Sequence, residues 1–369
     1  MSLRVALVGG PMYDPVYRLL DGADVEVVVH ADHPTLNRRV AEILGAGGRL
    51  DLISTHAKYA PSQAAWLRSL DGLVEQGLLG QLEPRAVELC RVRSALLSVP
   101  RNVDVRVLWV RRDLVARPPD TWADLVSERA PFGFPGRESG LFGTFFEIVT
   151  SYGGRLFADD GSPTMQSPEA EAAIALLQRL AARAPGDLPE WHYDQVDRAL
   201  IEGRVAMAAQ WPGGFGALRA SPHYGELAPH PYPAGPVGRF SYAGAHSWAI
   251  PKTCADVDGA VALLHRLAGE EGARIEAGNG GATAHRAAAA AVAPVDETDR
   301  ARRALTQRAI AEQMITYPPN PRFPEVEDAG WQAIASTLRG AITPRAAVEQ
   351  MQIAAERALG AGHAKEPKA

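Results

Sequence analysis

Ten histidines, seven tryptophans and two cysteines are the side chains whose spacing could support chemistry. His30 and His33 stand three apart in His30-Ala31-Asp32-His33, behind an apolar run, a spacing that lets two imidazoles face one metal ion. Two ligands without a carboxylate partner do not complete a site, and the stretch reads equally as a loop or a capped turn. Neither His-Glu-x-x-His nor Gly-x-Ser-x-Gly occurs. The carboxylates are scattered, with no acid pair that can be placed as glycosidase machinery. Cys90 and Cys254 lie far apart in no Cys-x-x-Cys arrangement, so one bridge and two free thiols both stay open. No catalytic machinery is legible here, and the expectation is no enzyme activity, no metal and no cofactor.

A pattern that points to a ligand is the run from Ala199 to Pro212. A helix ends at Glu202-Gly203, a short apolar strand runs from Val205 to Ala209, and Trp211 follows in a loop closed by Pro212-Gly213-Gly214. An indole at the end of a buried strand can stack on the C–H face of a sugar ring. The same indole can equally cover a sheet edge, and the segment by itself leaves both open.

The elements that must position such residues alternate. Arg4–Val8, Val25–Val29 and Asp51–Thr55 read as strands, separated by a short helical piece at Val16–Leu20 and an amphipathic helix at Asn37–Leu44. This alternation predicts an α/β layer structure with a largely parallel sheet. Val103 to Val110 reads as one long β segment. Asp120 or Thr121 caps a helix that begins at Trp122, and Phe132–Phe134 is a short strand leading into a Gly-rich loop, Gly136–Gly143. Helices are expected at Phe145–Tyr152, from Ser167 to about Arg183, at Val257–Leu267 and at Pro344–Leu359, with Lys365–Ala369 frayed.

Composition bounds the class. With 46% hydrophobic and 22% charged residues the chain is an ordinary globular sequence, long enough for two domains. A net charge of −5 and the lack of a basic stripe argue against a nucleic-acid partner. No apolar run approaches membrane-spanning length. The sequence enters its first strand directly after Met1-Ser2-Leu3. The protein is therefore expected to be cytoplasmic, or periplasmic or cell-surface if an export signal is missing from this sequence.

Several runs, in order, resemble the extracellular solute-binding proteins of family 1, the sugar receptors of ABC importers, close to the maltose/trehalose-binding group. They are Ala46-Gly47-Gly48-Arg49-Leu50-Asp51 through Thr55, Pro100-Arg101-Asn102-Val103-Asp104, Pro119-Asp120-Thr121-Trp122, Glu202-Gly203-Arg204-Val205-Ala206-Met207 through Trp211, Tyr242-Ala243-Gly244-Ala245-His246, and Asn320-Pro321-Arg322-Phe323-Pro324. The resemblance implies a periplasmic-binding-protein-like type II fold: two α/β domains joined by a hinge, with ligand in the cleft between them. The domains it suggests are discontinuous, 1–108 with about 250–305, and about 109–249 with 306–369, closing about a hinge near Val105–Val110.

The resemblance also implies site residues. Trp211 would stack on the sugar, and Asp104, Asn102 and His246 would bind hydroxyls. The bare backbone of Gly244 would approach the ligand. His56 and Tyr59 would line the loop after the third strand and Tyr13 the loop after the first, with Glu138 and Arg322 contributing from the second domain. Trp109 and Trp122 would be structural. Lys58, Arg101, Arg137, His246 and Arg322 would make the cleft rather basic, suited to an acidic or phosphorylated sugar. Polar Asn102 and His246, where relatives carry rings, suit a solute smaller or more polar than an oligosaccharide. The implied partners are a small solute and ABC permease subunits, with the receptor itself a monomer. The competing expectations are a cytoplasmic enzyme or ligand sensor reusing the fold, and a receptor for a non-sugar solute such as a polyol or polyamine.

Overall fold

Strand Leu3–Val8 is apolar at every position except Arg4, so both of its faces must be covered. Val5 and Leu7 pack into one core, and Ala6 and Val8 into a second core on the opposite face. The computed structural model describes residues 2–318 and 320–363, and the expected fraying of Lys365–Ala369 lies outside them. Strand Leu3–Val8 sits inside a five-stranded sheet of order Val25–Ala31, Leu3–Val8, Leu52–His56, His246–Ala249, Val99–Pro100. The first three strands are parallel, and His246–Ala249 runs antiparallel to both of its neighbours.

A second sheet has the order Leu227–His230, Val107–Arg111, Met207–Gln210, Phe132–Gly133. Its core holds Trp109, Trp122 and Trp191, each about 1% exposed, and helices Glu138–Ser151, Pro168–Ala181 and Phe323–Leu338 close around it. Trp109 stacks on Phe215 and Trp122 meets the edge of Tyr232. Thr121 caps the helix Trp122–Ser127 in a reciprocal box with Asp124, which satisfies two backbone donors that the first turn leaves free.

The two lobes are joined by adjacent crossing segments. Asp104 N donates to Gly244 O at 2.9 Å, Arg106 N donates to Ser241 Oγ at 2.8 Å, and Ser241–Tyr242 pairs in parallel with Met314–Ile315. The expected long strand from Val103 is therefore shorter: it begins at Val107, and the residues before it are held by single bridges from Asn102 to Thr283 and from Asp104 to Gly244. Val107–Arg111 itself is paired within the second sheet on both sides.

Two other expectations change. Gly136–Gly143 is not a loop, because the helix starts at Glu138. Gly140 serves close packing: a Cβ there would stand 2.5 Å from the Cβ of Pro135. Residues 246–249, expected in the second unit, complete the first sheet, while helix Glu297–Glu312 packs on strands of the second. Cys90 and Cys254 are both buried and unpaired. Among the described residues, no helix is long and apolar enough to cross a membrane.

Candidate functional site

Parallel strands deliver the loops at their carboxyl ends to one edge of a sheet, and this edge faces the crevice where ligands bind in open α/β folds. Here three such loops converge. Tyr13 follows the first strand, His33 opens the helix His33–Gly45 after the second, and His56 ends the third. Asp32 caps that helix by accepting from Thr35 N at 2.8 Å, which fixes where His33 stands. A fourth element enters from far along the sequence. The antiparallel register pairs His246 directly with His56, so their rings meet edge to face with centroids 4.9 Å apart.

His246 is the centre of this wall. Its Nε2 lies 3.0 Å from Asp104 Oδ2 and 3.2 Å from the Tyr13 hydroxyl. Its Nδ1 lies 2.7 Å from His33 Nε2. Burial disfavours charge on all three imidazoles. His246 is brought down to about 3, with Arg101 and Lys58 adding to the effect. His33 and His56 are held well below their ordinary value by burial and by their neighbouring histidines. Burial pushes Asp104 the other way, up to about 7, against the pull of Arg101. The second carboxylate oxygen of Asp104, Oδ1, is buried with no partner.

Two of the expected ligand contacts are occupied within the protein. The Asn102 carbonyl accepts from His246 N at 3.0 Å and its amide faces Glu276 Oε1 at 3.4 Å, so both ends hold the wall in place. Gly244 is bare for a neighbouring side chain: a Cβ there would overlap the His56 ring. Arg101 lies behind Tyr13, with its guanidinium 5.5 Å from that ring, and bonds Glu276 at 2.8 Å.

The opposite wall comes from the second lobe. Strand Met207–Gln210 ends at Trp211, and Pro212 turns the chain away. The half-buried indole meets Tyr193 at 5.8 Å and Tyr242 at 6.1 Å, both edge to face, with the Arg106 guanidinium 5.3 Å from its ring. Tyr242 continues to Tyr317 at 4.6 Å, and Tyr317 to Phe323 at 4.2 Å. The hydroxyls of Tyr242 and Tyr317 and Gln210 Oε1 have no partner, while the Gln210 amide nitrogen lies beside the buried Asp197 carboxylate. Buried polar groups are ordinarily satisfied, so unpaired ones lining a crevice mark where a ligand or water is received. Glu138 holds a left-handed backbone at φ 54° and accepts from Arg137 at 2.8 Å, with His192 3.9 Å away.

Lys58 and Tyr59 follow His56. The Lys58 ammonium lies 4.7 Å from the Tyr59 ring and reaches Glu327 of helix Phe323–Leu338 at 2.9 Å. Burial acts to lower the pKa of Lys58, yet facing Glu327 holds it well above the ordinary lysine value. Arg322 stands apart from both walls. It is exposed at the start of the same helix and pairs with Glu325 at 2.5 Å.

The expected basic cleft is not what the charges make. Lys58 faces Glu327, Arg101 faces Glu276, Arg106 faces Glu147 and Arg137 faces Glu138, so each cation carries its own carboxylate. Between the Lys58 loop and Tyr242 and Tyr317 lies a cavity of about 210 Å³. Trp211 and the three histidines are not in its lining. In their part of the crevice Met12 packs onto Gly213, where any Cβ would overlap the thioether, and Asn279 donates to Pro11 O at 3.3 Å. Among the described residues, no group of three or more His, Cys, Asp or Glu could hold a metal ion. The arrangement offers stacking faces and neutral hydrogen-bonding groups.

Sequence reasoning did not single out Tyr193, Gln210, Tyr317 or Glu327. Gln210 was open to detection as the last residue of the strand that delivers Trp211. Tyr193, Tyr317 and Glu327 carry no local signal, because the fold brings them in from separate helices and a crossing segment.

The architecture matches solved receptors over nearly its whole length. Maltose-bound T. maritima MalE3 superposes with a TM-score of 0.86 at 21% identity, covering 96% of this chain and 100% of that one. An ABC transporter solute-binding protein from Agrobacterium radiobacter K84 in complex with ribitol gives 0.86 at 20% identity, covering 97% and 98%. Another from Thermotoga lettingae TMO, bound with α-D-tagatose, gives 0.84 at 18% identity, covering 97% and 100%. These likenesses show the type II periplasmic-binding-protein fold. The family model for bacterial extracellular solute-binding proteins matches residues 20–274, well over half of the sequence, and the chain belongs to that family.

Proposed function

We propose that the protein is the solute receptor of an ABC importer, and that it takes a neutral, polyhydroxylated solute of monosaccharide or polyol size. The observation that carries the charge of the solute is the crevice itself. The hydroxyls of Tyr242 and Tyr317 and Gln210 Oε1 are buried without partners near Trp211, while the neighbouring cations are already paired. A neutral hydroxyl both donates and accepts, so a polyol satisfies such groups without leaving a charge uncompensated.

Trp211 supplies the stacking face, and Asp104 holds His246 in place. Tyr13, His56, Tyr59 and His246 shape the first wall, while Asn102 and Gly244 hold it. The receptor acts as a monomer outside the cytoplasm and hands its solute to membrane permease subunits. Its lobes meet in the crossing segments 101–106 and 239–245, and in the chain ahead of helix Glu297–Glu312. Maltose, ribitol and tagatose are bound by structural neighbours, so they belong in the first panel.

The test is a thermal-shift and calorimetry series with ribitol, D-tagatose, D-glucose, maltose, D-galacturonate and spermidine. A bound solute raises the melting temperature by mass action. The expected outcome is stabilisation by one or more of the neutral small solutes and little by galacturonate or spermidine. Stabilisation by galacturonate or spermidine alone would overturn the neutral reading.

A further inference from the structure

The first wall contains a chain of hydrogen-bonding groups whose far end is left open. Asp104 Oδ2 is 3.0 Å from His246 Nε2, and His246 Nδ1 is 2.7 Å from His33 Nε2. The next atom along, His33 Nδ1, is buried and has no partner. One turn further on the same helix, Asn37 Nδ2 is also buried and has no partner. The rest of the Asn37 amide is fixed, because its carbonyl accepts from Gln63 Nε2 at 3.2 Å and Gln63 accepts from Thr55 at 2.7 Å. The His33 ring lies 5.8 Å from Tyr13, 6.0 Å from His56 and 6.3 Å from Tyr59, among the residues that line the crevice.

We propose that Asp104, His246 and His33 form a tautomer relay that makes His33 Nδ1 a bare acceptor, and that His33 with Asn37 reads one hydroxyl of the solute. An ionised Asp104 can only accept, so His246 places its proton on Nε2. A neutral His246 then offers a lone pair at Nδ1, and His33 donates from its own Nε2. A neutral His33 is left with a lone pair at Nδ1. Neutrality of both rings follows from their burial. One turn along the same helix, Asn37 carries an N–H that also lacks a partner. A hydroxyl satisfies both by donating to the first and accepting from the second. A carboxylate oxygen would meet the His33 lone pair head on, and an ammonium would leave Asn37 unsatisfied.

Asp104 and His246 are thus positioning residues, and His33 and Asn37 determine specificity. The groups that face Asp104 are Arg101, Asn102, His246 and Tyr13, with Glu276 beyond Arg101. Lys58 and Arg101 face His33, together with Asp32, Tyr13, Tyr59 and His56. The relay should lose its polarity on acidification, because a protonated Asp104 becomes a donor to His246 Nε2 and both rings then carry their proton on Nδ1.

The hydroxyl reading rests on the proposed function, whereas the relay does not, and the experiment separates them. Long-range ¹H–¹⁵N spectra of the ligand-free protein at pH 8 report which nitrogen of each histidine is protonated. The expected result is Nε2–H on both His246 and His33. A proton on His33 Nδ1, or a charged ring, would overturn the relay. In Asp104→Ala the Nε2–H population of both rings should fall together, although Asp104 does not touch His33. A change confined to His246 counts against coupling. If Asp104→Ala does not fold, a pH titration of the wild type gives the same reading: both rings exchange tautomer in step while staying neutral. Calorimetry with ribitol and D-tagatose then compares wild type with His33→Ala. A loss of about tenfold in affinity is expected for one hydrogen bond to a buried group, and unchanged affinity overturns the hydroxyl reading. The expected tautomers with no binding of either probe retire that reading and leave the relay standing.

Discussion

A glycine and a histidine share one space in the first wall. Because the His56 ring lies against the bare Cα of Gly244, Gly244→Ala must push that ring aside. Overpacking of this kind costs about 1–3 kcal/mol. Urea unfolding should show a lowered midpoint with an unchanged slope. Trp211 presents the opposite case, since its indole is half-buried and its edge contacts are to other rings. Trp211→Ala should leave folding nearly intact and weaken solute binding at least tenfold by calorimetry, and equal affinity would remove it as the stacking face. His192 carries a pH prediction. Burial, with Lys58 and Arg137 nearby, brings it down to about 3, so between its ordinary value and that one the unfolded chain binds a proton that the folded chain refuses. Stability contributed by the neutral ring is full above the unfolded pKa and is lost as pH falls. His192→Gln should therefore lose less stability than wild type between pH 7 and pH 5, by on the order of 2 kcal/mol.

Helix Phe323–Leu338 shows what an element can and cannot reveal in advance. The run Asn320-Pro321-Arg322-Phe323-Pro324 marks a helix start, and a helix does start there. Which residue of that start matters was hidden, because orientation depends on partners elsewhere. Phe323 turns inward under Tyr317, Arg322 turns out to Glu325, and Glu327, one turn on, reaches across to Lys58. The alternation of strand and helix in the first lobe was legible for a local reason, since apolar runs alternate with capped helices. The histidine wall was not legible, because only the antiparallel register of His246–Ala249 against Leu52–His56 brings His246 beside His56. Local pattern likewise overestimated Val103–Val110: its alternating valines suit a strand, yet the first four residues have no sheet to join. Glu327→Gln tests the helix as a strut between lobes. It would leave the buried Lys58 ammonium unpaired, a loss of about 3–5 kcal/mol unless the lobes part to hydrate it. Small-angle scattering of the ligand-free variant should show a larger radius of gyration than wild type.

At the scale of the molecule, the two lobes touch through small features. Met12 rests on Gly213, Asn279 lies against Gly216, and Lys58 meets Glu327. Closure of this kind exchanges one set of packed contacts for another about a hinge. A side chain at position 213 would act as a wedge in the mouth of the crevice. Gly213→Val should fold normally, scatter as a more open particle and bind solute more weakly, and normal affinity would show that Met12 can yield. The paired cations have a consequence for time as well as for affinity. Electrostatic steering accelerates encounter where unbalanced charge lines a crevice, and such acceleration fades steeply with ionic strength. Here Lys58, Arg101, Arg106 and Arg137 are each cancelled at their own doorstep by a carboxylate. Solute arrival should then be governed by diffusion and by how often the mouth stands open. The association rate in stopped-flow Trp fluorescence should stay nearly constant from low to high salt, while mutations that prop the lobes apart should change it.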